Sequence, residues 1–403
     1  MREIKINKKD FLLIMIFVPF LEPKMFQYIS SIDTIFNILK VLSTIYISIQ
    51  ILNNINRISL FGYLWVFYTL SFFIPTIIYS GDLWKVIISL LPSMCFGVYL
   101  DILLRHNSKK CIKALFTIYT SYLIINSVLL LIFKNGLGMY ISGYDYTQVD
   151  SRLNFLGLDN SFITAFLPIT LLAAIWLGMN NKKFKTLVII MSLNMIFVWS
   201  GTGIIGYTLV IILVFLKPEK LIKIKLATPS IIIYLILYSS IVIFRFQNYF
   251  SYLIVDVLGK DLTFTGRTIL WDLALSKIPQ KPLFGFGFTK YDLLVAPNGS
   301  AYSSHNTILQ IFLLGGVLAF SILCIAMFIT RNKLNKCREK NIANIISVFI
   351  FISWFSGMTE NYSLEIQFYL MLFIAYHIDS IVKSARFAEM NKGKINGDLY
   401  GFS

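Results

Sequence analysis

Hydrophobic runs long enough to cross a bilayer recur along the whole chain, and this feature limits its fold more than any other. An α-helix needs about 20 apolar residues to span ~30 Å of hydrocarbon. Only 14% of the 403 residues are charged, whereas soluble domains carry about 25%. We therefore expect an all-α polytopic membrane protein with about twelve transmembrane helices, at 10–29, 32–52, 58–79, 84–104, 112–133, 157–179, 186–200, 203–216, 227–246, 306–330, 342–358 and 362–382.

The basic residues between these runs predict the orientation of the chain. When both termini are placed in the cytoplasm, twenty-five of the 36 Lys and Arg residues fall inside, ten fall outside, and Lys40 lies within a span. The positive-inside rule predicts such a bias, which holds only if 186–216 crosses the membrane twice. Topology thus accounts for the net charge of +16, and a nucleic-acid partner is not expected.

This topology divides the chain into four regions. A transmembrane bundle of about nine spans occupies 1–246, three further spans occupy 306–382, and 383–403 form a cytoplasmic tail. Between the two sets of spans lies one large extracytoplasmic loop, 247–305, in which we expect short amphipathic helices. A loop of this length usually has structure and a function of its own.

The centre of this loop, 265–279, has the pattern of one amphipathic helix. Arg267, Trp271 and Leu275 stand at positions i, i+4 and i+8, which share one helical face. An apolar turn follows, in which Gly285 and Gly287 permit backbone conformations or close approaches that other residues resist.

His305 is the most informative single residue, because the chain has only three histidines and this one lies at the predicted outer end of span 306–330. The N-terminal end of a helix favours a neutral imidazole, which can accept a proton as a general base. The alternative is that His305 or Ser304 only caps the helix.

Three arginines, Arg152, Arg245 and Arg267, lie on the outside, where the topology rule disfavours them. The planar guanidinium suits phosphate oxygens, so converging arginines would bind a lipid-linked phosphate or pyrophosphate. The alternative is contact with lipid headgroups, or ion pairs with an acidic residue of the outer loops: Asp150, Asp159, Asp256 or Asp272.

Other polar residues give weaker indications. Lys40 lies mid-span, where an ionisable residue is a functional candidate, and Glu360 and Glu365 flank the last external turn as acid/base groups or ion-pair partners. Residues 22–24 interrupt the first span. The chain lacks a P-loop, an HExxH motif and a DxD pair, which disfavours a nucleotide-sugar enzyme or an ATP-driven pump.

Several motifs resemble, in order, those of the O-antigen polymerase/O-antigen ligase superfamily of membrane glycosyltransferases. They are Gly266-Arg267, Trp271, the turn 282–287, His305-Asn306 and Gly315-Gly316, with a softer match from Ser151-Arg152 to Phe162. Within the superfamily, the chain is most similar to the Wzy-type polymerases of capsule, exopolysaccharide and O-antigen assembly. One departure is 200–203, Ser-Gly-Thr-Gly, where the family often has an arginine. Either Arg152 or Arg245 supplies that charge here, or the site tolerates its absence.

The resemblance implies an inverting glycosyl transfer, without metal or other cofactor, on the outer face of the bacterial cytoplasmic membrane. The donor and the acceptor would be glycans linked to undecaprenyl pyrophosphate. A chain-length regulator and a flippase of the same pathway would be protein partners. The implied roles are catalysis for His305 and Arg267, pyrophosphate binding for Arg152, Arg245, Asn306 and Trp271, and loop geometry for Gly285 and Gly287.

Two other functions remain open from the sequence. An O-antigen ligase would share nearly every motif and would differ in its acceptor. A lipid-linked oligosaccharide flippase or transporter would also have about twelve spans, but should concentrate ionisable residues and broken helices near mid-membrane.

Overall fold

The computed structural model describes residues 8–144, 147–159, 162–198, 201–215, 224–250, 252, 266–291, 293–295 and 301–384. Within these residues the chain forms fourteen α-helices. They are α1 Lys8–Phe17, α2 Ser30–Asn53, α3 Leu60–Ile78, α4 Leu83–His106, α5 Ser108–Ile132, α6 Ile163–Leu177, α7 Lys182–Val198, α8 Gly201–Phe215, α9 Ala227–Tyr238, α10 Arg267–Lys277, α11 Thr307–Lys336, α12 Lys340–Ser356, α13 Ile366–Tyr376 and α14 Ile378–Ser384.

Five of these helices, α2, α3, α4, α5 and α11, are long and apolar enough to cross a membrane. The pair α13 and α14, bent by 67° at its break, makes a sixth if it is counted as one broken span. The prediction of a predominantly helical chain with several helices suited to cross a membrane is thus confirmed. Each predicted span also coincides with a helix, but several of these helices have fewer than 18 residues, so the number twelve stays a prediction.

Two regions differ from a purely helical chain. Between the predicted spans 112–133 and 157–179, β1 Gly138–Tyr144 and β2 Thr147–Asn154 pair as an antiparallel hairpin. The third strand of this sheet, β3 Gly157–Leu158, occupies the first two residues of the predicted span 157–179, whose helix α6 begins only at Ile163. A second, two-stranded sheet joins β4 Leu294–Val295 to β5 Ala301–Tyr302 in the large loop. The first hairpin contains Tyr140, Ile141, Tyr144, Thr147 and Val149, residue types that favour extended backbone. The pairing of its strands satisfies the backbone amides and carbonyls of a segment that lies outside the helices.

The predicted first span, 10–29, is interrupted as its sequence indicates. Helix α1 ends at Phe17, and two 3₁₀ turns, Val18–Leu21 and Lys24–Tyr28, flank the break at 22–23. Of the predicted tail 383–403, only the first two residues fall within the described part of the chain. The large loop is described at 247–250, 252, 266–291, 293–295 and 301–305.

Helix α11 is broken where the external loop docks against it. Gly316 has non-helical torsions, φ 61° and ψ −160°, inside this helix. The carbonyls of Leu313 and Leu314 accept hydrogen bonds from the amides of Phe286 and Gly287, at 2.7 and 2.9 Å. The amides of Val317 and Leu318 donate in turn to the backbone of residues 282 and 283. The turn 282–288 therefore takes the place of the missing helical hydrogen bonds.

The glycines of this turn are required by close contact as well as by backbone torsion. Gly285 and Gly287 have φ of 68° and 66°, in the left-handed region that favours glycine. A Cβ atom on Gly287 would lie 2.4 Å from the amide nitrogen of Thr76, and one on Gly285 would lie 2.7 Å from the carbonyl oxygen of Leu313. This close approach fixes the loop that follows α10 against α3 and α11.

An aromatic cluster holds the start of α13 against α3. The Tyr68 and Tyr369 hydroxyl oxygens lie 2.6 Å apart, and both hydroxyls lie within hydrogen-bond distance of the Ser363 carbonyl. The Trp65 ring packs on Tyr369 at 5.1 Å between centroids. These buried contacts position the turn between α12 and α13, which carries Glu360.

Candidate active site

Asn306 fixes the outer end of α11. Its side-chain oxygen accepts hydrogen bonds from the Leu309 amide at 3.0 Å and from the Tyr238 hydroxyl at 3.1 Å, and its amide group donates to the Met358 carbonyl at 3.0 Å. Asn306 is fully buried and is the residue that caps this helix. The cap is therefore Asn306 and not His305 or Ser304, and its three bonds tie α9, α11 and the α12–α13 turn together. Substrate binding by Asn306 stays a prediction.

His305 lies directly before this cap in a strained backbone conformation. Its φ is 43°, a region that costs a residue with a side chain free energy and that recurs at functional sites. The imidazole Nδ1 lies 3.4 Å from Glu360 Oε2, and 30% of the side chain is exposed. The strained backbone thus presents a partly exposed ring beside a carboxylate.

Glu360 contacts both residues for which the sequence predicts a catalytic role, Arg267 and His305. Its Oε1 forms an ion pair with Arg267, while Oε2 faces His305. The turn is held by Thr307, whose hydroxyl donates to the Glu360 carbonyl at 2.8 Å and accepts from the Tyr362 amide at 3.0 Å. The Glu360 carboxylate therefore has a fixed position between α10 and α11.

The charge of Glu360 is set by these neighbours. Burial alone would raise the pKa of its carboxyl, but the Arg267 guanidinium and the His305 ring outweigh burial, and the pKa lies below its ordinary value. An ionised carboxylate can only accept a hydrogen bond, so Glu360 Oε2, 3.4 Å from Nδ1, favours the His305 tautomer that carries its hydrogen on Nδ1. In that tautomer Nε2 carries the lone pair that can accept a proton, as a general base requires.

A second arginine, Arg245, packs against helix α10. Arg245 stacks on the buried ring of Trp271 at 4.9 Å and donates to Asp272 Oδ1 at 2.6 Å and to the Thr268 carbonyl at 3.3 Å. Its φ is 54°, and it stands two residues after the end of a π-helical turn, Ser239–Ile243. The Arg245 Nη1 atom is buried and meets no hydrogen-bond acceptor among the described residues. It is a donor that an anionic ligand could use.

Arg152 is bound elsewhere by the protein. Its guanidinium donates to Asp159 Oδ2 at 3.1 Å and to the carbonyls of Phe197 and Val198 at 3.1 and 3.0 Å, at the end of α7. The ion pairs with Asp159 and Asp272, expected as alternatives, are thus formed by Arg152 and Arg245. Arg267 and Trp271 lie on α10, Arg245 packs against the same helix, and none of the described contacts joins Arg152 to this group. Pyrophosphate binding by Arg152 stays a prediction.

The connecting role of Glu360 was not predicted from the sequence. The only indication was its place in a short external turn, which did not separate it from Glu365. Glu365 forms an ion pair with Lys24, whereas Glu360 faces Arg267 and His305. No cluster of three or more His, Cys, Asp or Glu side chains suited to a metal ion occurs in the part of the chain that the structure describes.

The structure thus combines a bundle of apolar helices, several of them long enough to cross a membrane, with an arginine–carboxylate–histidine cluster near the helix ends. Residues 161–324 match the family model described as O-antigen ligase, Wzy_C. The match confirms the resemblance of this part of the chain to the O-antigen ligase/polymerase superfamily, and it includes Arg245, Arg267 and His305. No curated protein and no solved structure matches the chain.

Proposed function

We propose that the protein is a membrane glycosyltransferase that polymerises oligosaccharide repeat units linked to undecaprenyl pyrophosphate. The product would be a capsular, exo- or O-antigen polysaccharide, made on the outer face of the cytoplasmic membrane. The observation that carries the proposal is the placement of Arg267 and His305 on the two oxygens of one carboxylate, Glu360. This arrangement supplies a base and a phosphate-binding cation side by side.

In the proposed reaction, His305 Nε2 takes the proton of a hydroxyl group on the non-reducing sugar of the acceptor. The hydroxyl oxygen forms a bond to the anomeric carbon of the donor, on the face opposite the pyrophosphate. The bond from that carbon to the pyrophosphate oxygen breaks, and its electron pair stays with the pyrophosphate. Attack and departure on opposite faces invert the configuration of the donor sugar.

The arginines stabilise the leaving group in this scheme. Negative charge grows on the pyrophosphate as its bond breaks, and fixed donors aimed at such charge usually make the largest contribution to catalysis. Arg267 lies next to the base, and the buried Nη1 of Arg245 provides a further donor. Because the donor sugar is already activated by pyrophosphate, the proposal requires neither a nucleotide nor a metal ion.

A ligase is the second candidate, because the matching family model is described as O-antigen ligase. Polymerase and ligase would share the donor, the base and the arginines. They would differ only in the acceptor, which for a ligase is a molecule other than a lipid-linked repeat unit. Analysis of the product distinguishes them, since only a polymerase extends one repeat unit with another.

Replacement of the base tests the proposed function in cells. We expect His305→Ala to insert normally and to accumulate single lipid-linked repeat units, because Nε2 no longer accepts the hydroxyl proton. His106→Ala is the matched control, since His106 is exposed and lies at the far end of α4. Electrophoresis of the polysaccharide reads out chain length. Polymer of normal length and amount from His305→Ala would reject His305 as the base.

A further inference from the structure

A groove opens on the bundle where α9, α11 and α12 meet. It encloses about 430 Å³ of space free of protein atoms, part of it open to the surroundings. Its walls are almost wholly apolar, and they include Ile231 on α9, Met327 on α11 and Phe351 on α12, all half-buried. Buried Tyr234 and Trp354 line one end, with 6.2 Å between their ring centroids. A narrow apolar groove of this kind suits a hydrocarbon chain.

Arg331 lines the other end of this groove, where α9 begins and α11 approaches its last turn. Its Nε donates to the Thr228 hydroxyl at 2.9 Å, and its Nη1 donates to the Asn332 side chain at 3.3 Å. Asn335 donates to the same Thr228 oxygen at 3.0 Å. Among the described residues, no carboxylate pairs with this guanidinium and Nη2 has no acceptor. Arg331 is therefore fixed in position and keeps an uncompensated charge.

The end of the groove that holds Arg331 is strongly basic. Residues 224–227 and 331–340 carry six basic side chains and one acidic side chain, namely Lys225, Arg331, Lys333, Lys336, Arg338, Lys340 and Glu339. Lys225 donates to the Asn335 carbonyl, which brings a second cation to the end of α11. The positive-inside rule predicts that this end faces the cytoplasm, where basic pockets between membrane helices bind anionic headgroups.

The isoprenoid chain of the proposed donor fits this groove less well than a phospholipid does. The donor pyrophosphate would lie at Arg245 and Arg267, beyond the other end of α9. Its chain would enter the groove from the Tyr234 end and would leave Arg331 without an anion. A phospholipid that enters from the Arg331 end matches both parts of the site, because its phosphate accepts from Nη2 while its acyl chain fills the apolar part.

We propose that the groove binds one anionic phospholipid of the cytoplasmic leaflet, with its phosphate on Arg331 and one acyl chain between α9, α11 and α12. This binding is separate from glycosyl transfer and does not depend on whether the protein is a polymerase. A bound chain would hold α9 against its neighbours. Helix α9 ends at Tyr238, whose hydroxyl donates to Asn306, so the lipid supports the helix that holds the cap of the candidate active site.

Native mass spectrometry of the purified protein tests this proposal, because it counts the lipid molecules that stay bound. The delipidated protein in neutral detergent is titrated with dioleoyl phosphatidylglycerol and, separately, with dioleoyl phosphatidylcholine. Arg331→Gln removes the charge, and Ser230→Trp fills the groove, which Ser230 lines. Lys336→Gln is the matched control, since Lys336 is exposed at the end of the same helix. Thermal unfolding shows that each variant is folded, and Arg331→Gln decides alone if Ser230→Trp does not fold.

We expect Arg331→Gln to bind the first phosphatidylglycerol molecule about tenfold more weakly than wild type, because a charge-assisted hydrogen bond is lost. Lys336→Gln should bind it unchanged, and Ser230→Trp should lose this site. Wild-type affinity in Arg331→Gln or in folded Ser230→Trp would overturn the proposal, as would equal affinity of the wild type for the two phospholipids. Displacement of the bound phosphatidylglycerol by an equimolar amount of undecaprenyl phosphate would also overturn it, in favour of an isoprenoid occupant.

Discussion

Arg267 and Glu360 lie 93 positions apart in the chain and form an ion pair that fastens the external helix α10 to the turn between α12 and α13. The second oxygen of the same carboxylate faces His305. One carboxylate thus sets the relative positions of a cation and a potential base. In the proposed reaction, Arg267 acts on the leaving group while His305 acts on the attacking hydroxyl.

Loss of the Arg267 side chain should reduce the rate far more than it reduces the amount of protein. We expect Arg267→Ala to slow polymer formation by about 10²- to 10³-fold, the usual effect of removing one donor that stabilises transition-state charge. Arg267→Lys should recover only part of this loss, because an ammonium lacks the planar fork of donors. Lys277→Ala, at the other end of α10, should retain the wild-type rate. Rates are compared per inserted protein, and a wild-type rate for Arg267→Ala would contradict the role.

Neutralising Glu360 without changing its size should also impair catalysis. A glutamine at this position can donate to Nδ1 of His305 as well as accept from it, so the tautomer with a basic Nε2 is no longer fixed. We expect Glu360→Gln to lower the rate by roughly 10²- to 10⁴-fold, by analogy with the loss of a carboxylate that orients a catalytic histidine. Asp379→Asn, an exposed carboxylate on α14, serves as the control. An unchanged rate for Glu360→Gln would show that the carboxylate does not orient the ring.

The same carboxyl predicts a pH dependence of stability. The pKa of Glu360 lies below 4.5 in the folded protein, so its ionised form is favoured by folding. The resulting stabilisation is present above about pH 4.5 and is lost as the pH falls through the lower, folded-state pKa. We expect the Tm difference between wild type and Glu360→Gln to shrink as the pH is lowered from about 6 to about 3. A difference that stays constant over this range would contradict the assignment.

Two glycine replacements separate the effect of close contact from that of backbone torsion. Gly287→Ala forces a Cβ against the Thr76 backbone and should destabilise the protein by about 1–3 kcal/mol beyond the cost of torsion. Gly178 also has positive φ, 84°, but an added Cβ there would meet no described atom within 4 Å, so Gly178→Ala should cost only about 1 kcal/mol. Thermal unfolding in detergent measures both. Equal effects would show that the loop does not pack closely on α3.

The sequence predicted features that depend on neighbouring residues in the chain. Apolar runs located the helices, and the spacing of Arg267 and Trp271 located α10 at 265–279, where the structure has Arg267–Lys277. The hairpin in 134–156 was not predicted, since a loop between spans carries no strong periodicity. The contact of Glu360 with Arg267 and His305 was also not predicted, because it depends on how distant helices pack. The same reason applies to His377, whose Nε2 lies 2.7 Å from Asp101 on α4.

The most direct test of the central claim is polymerisation by the purified protein. The protein is reconstituted in lipid and incubated with undecaprenyl-pyrophosphate-linked repeat units, with a chelator present and without any nucleotide. The account predicts a ladder of products that differ by one repeat unit, with one undecaprenyl pyrophosphate released for each new linkage. Single repeat units that remain unextended, or a ladder that forms only after a nucleotide is added, would contradict it.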